Sequence, residues 1–139
     1  MSDAPTVLVV EDDEDDFFLT QRVLRKFAAG PIRHVESGRA AIDYLAGTAP
    51  YADRELFPLP HVMFLDLKMG QVTGHEVLQW VRTHLGDRAP RIFVLTGSDE
   101  PRDRELVRNS GAAAGYIVKP LSAEHLKAIF GEMVKSHAG

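Results

Sequence analysis

The chain has 139 residues, 45% of them hydrophobic and 26% charged, with a formal net charge of -4. That length suits one domain burying roughly two thirds of its unfolded surface, and the mild acidity gives no reason to expect nucleic acid or a lipid surface as partner. The absence of cysteine excludes disulfides, thiol catalysis and cysteine-ligated zinc. No apolar stretch is long enough to span a bilayer and Met1–Pro5 does not look like a signal peptide, so a cytoplasmic protein is expected.

Val7–Val10 is a short apolar run of the kind that forms a strand buried on both faces of a parallel sheet. The acids Glu11 to Asp16 follow. Leu19, Val23, Leu24 and Phe27 then recur at helical spacing, with Gly30-Pro31 expected to end the helix. Ile32–Val35 is a second strand, expected at an edge. Ser37 can cap a helix carrying Ala41, Ile42 and Leu45 that ends near Gly47. Thr48 to Pro60 holds three prolines and is long for a helix-to-strand connection. His61–Leu65 is the third strand. Val77, Leu78, Val81 and Leu85 form the next apolar face, stopped by Gly86. Arg91–Leu95 is the fourth strand, followed by a helix from Asp99 to Asn109 with Ser98 as its cap and Leu106 and Val107 as nearly its only apolar residues. Ala114–Val118 is the fifth strand. Leu126, Ile129, Phe130 and Met133 mark the inner face of a final helix, Ala123–Lys135.

Strands alternating with helices predict βαβ units, a parallel sheet and helices on both of its faces. One domain is expected over residues 1–139, with its core at about 6–135 and no output domain. Ligands of such sheets bind at the carboxyl ends of the strands. There the runs end in Glu11-Asp12-Asp13, Asp66, Thr96 and Lys119-Pro120. Oxygen ligands from Glu11, Asp12 and Asp66 suit Mg²⁺, which keeps several waters and often bridges to phosphate. Asp66 ends the central run and is the best placed carboxylate to attack phosphorus. Thr96 could hydrogen-bond a phosphoryl oxygen, and Lys119 could pair with Asp66 or with the phosphoryl group. Each residue also has a plainer reading. Asp66 could be a turn residue and Thr96 a helix cap, and the acids from Glu11 onward could favour the positive end of the next helix, the reading preferred for Asp15 and Asp16. The six histidines show no metal-ligand spacing and are read as structural. Phe17 and Phe18 cannot both face the core of one helix.

The ordered set Leu8-Val9-Val10-Glu11-Asp12, Phe64-Leu65-Asp66-Leu67-Lys68-Met69, Gly74, Leu95-Thr96-Gly97 and Tyr116-Ile117-Val118-Lys119-Pro120 resembles the response-regulator receiver domain of two-component signalling, from Val7 to about Val134. The resemblance implies a flavodoxin-like three-layer α/β sandwich whose five-stranded parallel sheet has the order 2-1-3-4-5. It implies Asp66 as phosphoacceptor, with Thr96 and Lys119 binding the phosphoryl group. Mg²⁺ would be held by Asp12, Asp66 and the backbone carbonyl of Lys68, with Glu11 acting through water. Thr96 and Tyr116 would form the switch pair. The implied function is that of a stand-alone regulator, not a turnover enzyme, that takes its phosphoryl group from a sensor histidine kinase or phosphotransfer protein and switches partner binding. A homodimer through the face of Asp99–Asn109, Ala114–Val118 and Ala123–Lys135 is a further expectation. The long Thr48–Pro60 loop resembles receivers that partner phytochrome-type kinases. Gly70 stands where the family often has proline, so a more mobile loop is expected there. Two alternatives remain: a Mg²⁺-dependent phosphatase of the haloacid-dehalogenase type, which would need an acid where Lys68 stands, and a receiver-like interaction module that is never phosphorylated.

Overall fold

The computed structural model describes residues 5–27 and 30–138, with side chains of the last helix described through residue 131. The strands are β1 (Val7–Val10), β2 (Ile32–Val35), β3 (Val62–Leu65), β4 (Arg91–Thr96) and β5 (Gly115–Val118), and the helices are α1 (Glu14–Leu24), α2 (Gly38–Ala46), α3 (Gly74–His84), α4 (Pro101–Ser110) and α5 (Ala123–Ala138). The strands form one sheet of order β2-β1-β3-β4-β5 in which every pairing is parallel. This is the flavodoxin-like arrangement, and β2 lies at an edge as expected.

Alternation along the strands divides the core in two. Leu8, Val10, Met63 and Leu65 pack with Ala41, Tyr44 and Leu45 of α2, Val77, Leu78 and Val81 of α3, and Val107 of α4. Val7, Val9, Phe64 and Phe93 turn the other way, onto Leu24 of α1 and Leu126, Ile129 and Phe130 of α5. All four residues of β1 and of β3 are buried. Central strands covered on both faces have no solvent side, which is why their sequences do not alternate.

Several boundaries differ from the expected ones for local reasons. Helix α1 stops at Leu24, where the Lys26 and Phe27 amides turn back onto Val23 and Leu24. Leu19 faces out, and Thr20 and Leu24 are the residues of that helix that bury. Helix α4 begins at Pro101, not Asp99. Ser98 spends its side chain on Glu100 and Asp103, and Glu100 takes the cap position without a side-chain hydrogen bond. Ser37 caps α2 and Gly47 closes it with φ 74°, both as expected. Met133 of the predicted α5 face lies outside the described side chains.

The Thr48–Pro60 segment is folded onto α2. Tyr51 and Phe57 pack against Tyr44 with ring centroids 5.1 and 6.0 Å away. Arg54 donates to the carbonyls of Tyr44 (2.8 Å), Leu45 (3.0 Å) and Phe57 (3.2 Å). The last carbonyls of a helix have no partner within it, so Arg54 completes the end of α2 while pinning the loop. Replacing Arg54 by Ala should lower the unfolding free energy by about 1–2 kcal/mol. Urea denaturation that leaves the midpoint unmoved would show that those carbonyls need no arginine.

Candidate functional site

The site forms where β1, β3, β4 and β5 end. Val10 is in register with Leu65, and Leu65 with Val94, while Thr96 pairs with Val118. The residues that follow therefore emerge side by side. Asp66 N–H donates to Val10 O at 3.2 Å, and Lys119 N–H to Thr96 O at 2.8 Å. Carboxylate oxygens of Glu11, Asp12 and Asp66 all lie within 4.8 Å of one another. Glu11 and Asp66 are buried, Asp12 is exposed, and Thr96 is 1% exposed.

Lys119 closes this group. Its Nζ lies 2.6 Å from Glu11 Oε1, 2.7 Å from Asp16 Oδ2 and 3.0 Å from Asp66 Oδ2. An ammonium has three donors, and each finds a different carboxylate. Burial pushes the Glu11 carboxyl up to about 7 against the pull of Lys119. Burial alone would lower the Lys119 pKa, but the hydrogen bonds to Asp16, Glu11 and Asp66 outweigh it and hold the ammonium above its ordinary value. Asp16 is the acid whose place the sequence reading missed. The sequence places it in the first turn of a helix, where it does sit, but α1 also brings its carboxylate to Lys119. Asp13 is the residue with the purely local role: its Oδ1 accepts from Asp16 N–H at 2.9 Å and caps α1.

The acid loop is held from below. His34 Nε2 lies 2.8 Å from the Glu11 carbonyl oxygen, and the His34 ring stacks on Phe17 at 3.6 Å. Phe17 is thus the inward member of the aromatic pair, and Phe18 is 59% exposed. The loop after Asp66 is packed at both ends, while Gly70 in its middle has open space around it. Met69 is buried. A Cβ on Gly74 would meet Asp66 O at 2.3 Å, and one on Gly38 would meet Val72 O at 2.3 Å. These two glycines, not Gly70, let helices α3 and α2 approach the loop. Lys68 donates its amide to Asp66 Oδ1 at 3.3 Å, and its side chain reaches Glu100 at 3.9 Å with both groups largely exposed.

On the β4–α4 side, Ser98 gathers four groups. Its amide lies 3.4 Å from Thr96 Oγ1, its hydroxyl donates to Asp103 Oδ2 at 2.6 Å, and that hydroxyl accepts from Glu100 N–H at 3.3 Å. Its carbonyl accepts from the Tyr116 hydroxyl at 2.7 Å. His75 Nε2 lies 3.2 Å from Asp103 Oδ1. The hydrogen bonds from Ser98 and His75 hold the Asp103 carboxyl below its ordinary range. Arg104 lies 4.6 Å over the half-buried Tyr116 ring and pairs with Asp99 at 2.6 Å. Tyr116 packs against the core on the α4 side, on the opposite face from Lys119 as strand alternation requires.

Residues 7–130 match the model of the response regulator receiver domain, and the chain belongs to that family. A probable methanogenesis regulatory protein, FilR2, of Methanothrix harundinacea is 34% identical over 122 residues, covering 87% of this chain and 76% of that protein. The bacteriophytochrome response regulator AtBRR superposes with a TM-score of 0.76 at 34% identity, covering 92% of this chain and 91% of AtBRR. The Mn²⁺-bound form of the response regulator Rcp1 superposes with a TM-score of 0.74 at 25% identity, covering 90% and 88%. Family membership sets aside the haloacid-dehalogenase reading. The all-oxygen cluster of Glu11, Asp12 and Asp66 fits a hard divalent cation.

Gly74→Ala should cost roughly 1–3 kcal/mol of stability through overpacking against Asp66 and weaken metal binding as Asp66 shifts. Gly70→Ala, where nothing lies within 4 Å of the added carbon, should stay within about 0.5 kcal/mol of wild type. Denaturation and metal titration check both, and equal behaviour of the two variants would refute the packing argument.

Proposed function

We propose that this receiver accepts a phosphoryl group on Asp66. The observation that carries the reading is the shared grip on Lys119: a buried acceptor carboxylate beside two further acids and one ammonium that can follow the negative charge from Asp66 to a phosphoryl group. A carboxylate oxygen of Asp66 attacks phosphorus, the bond from phosphorus to the donor's imidazole nitrogen breaks, and that nitrogen keeps the electron pair. Phosphoryl transfer depends mainly on positioning and charge neutralisation. Mg²⁺, when bound, supplies charge neutralisation at the phosphoryl oxygens. Asp12, Asp66 and the Lys68 carbonyl would hold it directly, with Glu11 acting through water. Thr96 and Lys119 contact the phosphoryl oxygens.

The donor is a sensor histidine kinase or phosphotransfer protein. The likeness to bacteriophytochrome response regulators supports a phytochrome-type kinase. The protein is a cytoplasmic switch that catalyses only its own phosphorylation and dephosphorylation, and neither nucleic acid nor membrane is its partner. Among the described residues no helix is long and apolar enough to cross a membrane. The output runs from Thr96 through Ser98 to Tyr116 and α4, and the α4–β5–α5 face carries partner binding or a homodimer. The sparse anchoring of α4 supports this, since Val107 is its only buried residue. Elements with few buried apolar contacts are the ones free to move.

Three outcomes check this reading. Asp66→Asn should take up no phosphoryl group from a small phosphodonor with Mg²⁺, by intact mass, and full labelling of that variant would place the acceptor elsewhere. Asp12→Ala should weaken metal binding and labelling together, whereas Asp13→Ala should change metal affinity less and show its effect in stability, by about 1 kcal/mol as a lost helix cap. Calorimetric titration giving the reverse ranking would exchange the two acids. Beryllofluoride should shift the backbone amides of Ser98, Tyr116 and the first turn of α4; shifts confined to the loops of Asp12 and Asp66 would rule out the proposed output path.

A further inference from the structure

We infer that Asp16 is a positioning residue for phosphoryl transfer: it keeps Lys119 in the site when the other two carboxylates are engaged by the metal. The inference rests on the reading of Asp66 as acceptor. Its starting point is a division of labour among the acids. Glu11 and Asp66 belong both to the Lys119 grip and to the oxygen cluster that fits a divalent cation. Asp16 belongs to the grip alone, at 2.7 Å from Nζ. Lys119 contacts three carboxylates at once. With a dication among Glu11, Asp12 and Asp66, two of those carboxylates turn part of their charge to the metal, and the dication itself repels the ammonium.

Lys119 also has somewhere else to go. A groove opens beside it toward solvent, lined by Asp16, Leu19, Thr20 and Lys119 together with the cations Arg22 and Lys26. A long flexible ammonium is strongly hydrated, so withdrawal past these two cations into solvent is the competing state. Asp16 lines that groove and is outside the cluster of Glu11, Asp12 and Asp66, so its attraction survives metal loading. It acts through Lys119 and touches neither the phosphorus nor the metal. Its side chain is 41% exposed, so the effect is that of a screened pair and not of a buried one.

The test begins with the side-chain ammonium of Lys119 observed by ¹H–¹⁵N NMR in protein loaded with Mg²⁺. Wild type should show a protected ammonium signal, Asp16→Ala should lose it through fast solvent exchange, and Asp16→Asn, which keeps an acceptor oxygen, should recover part of it. This readout does not depend on phosphorylation. A signal equally protected in wild type and Asp16→Ala overturns the inference, as does a wild-type signal that disappears on adding Mg²⁺. The second measurement is labelling by a small phosphodonor at saturating Mg²⁺. Asp16→Ala should slow it roughly three- to tenfold, with no further slowing when Asp16→Ala is added to Lys119→Ala. The same loss in both backgrounds would mean that Asp16 acts independently of Lys119. If wild type takes no label on Asp66, the acceptor reading fails, and the NMR comparison still decides the position of Lys119.

Discussion

Everything at the strand ends depends on one cation set among acids. Glu11 and Asp66 are almost wholly buried, and Asp12 lies within reach of both. Carboxylates that close repel one another and are costly to remove from water. Lys119 offsets that repulsion, because its three donors meet three carboxylates between 2.6 and 3.0 Å. The charge is still not fully compensated. Three acids share one ammonium with Asp12 close by, and burial pushes Glu11 up to about 7. Such a site attracts further positive charge, and charge engaged by Glu11 or Asp66 competes with their bonds to Lys119. Metal affinity and the position of the lysine are therefore two readings of one electrostatic balance.

The rest of the fold holds the acids still enough for that balance to matter. The parallel register places Glu11 beside Asp66 and Thr96 beside Lys119 before any side chain is considered. Below the sheet edge, the stack of Phe17 on His34 supports the Glu11 carbonyl. Across the sheet, Gly74 lets α3 come against the Asp66 carbonyl, and Gly38 does the same for α2 at Val72. Farther out, Arg54 secures the end of α2 and the long loop after it. None of these residues offers chemistry, yet each fixes an element on which a functional side chain stands.

What the sequence made legible follows a physical pattern. Fully apolar runs exposed the buried strands, and the strand order came with the resemblance that the ordered motifs carry. The terminal residues Glu11, Asp12, Asp66, Thr96 and Lys119 could be picked out because a polar group at the end of a buried strand has one region to occupy. Asp16 could not, since its role depends on a helical turn carrying it to a lysine 103 residues away. Ser98 was read as a cap because serine before a helix usually is one, and the pull of Asp103 overrode that preference. Gly70 draws attention in the sequence because glycine frees the backbone locally, but the close approaches to that loop are made at Gly38 and Gly74. The leucine at position 19 fits the helical period and still faces out, because a period gives a face without saying how far round the core extends.

The Ser98 cluster explains how a small change at the acids could travel. Thr96, Tyr116, Asp103 and the Glu100 amide are all satisfied by one residue, through its amide, its carbonyl and a hydroxyl that serves two of them. Any displacement of Thr96 that moves Ser98 must lengthen at least one of those bonds or carry its partner along. The two outer partners are not equally anchored. Asp103 is tied to α3 through His75 and sits on a helix with a single buried residue, whereas Tyr116 stands on a strand paired along its length to β4. The weaker body is the helix. Motion passed to Ser98 is thus more readily absorbed by re-seating the first turn of α4 than by distorting β5, and the Arg104 side chain over Tyr116 lies where those two alternatives meet.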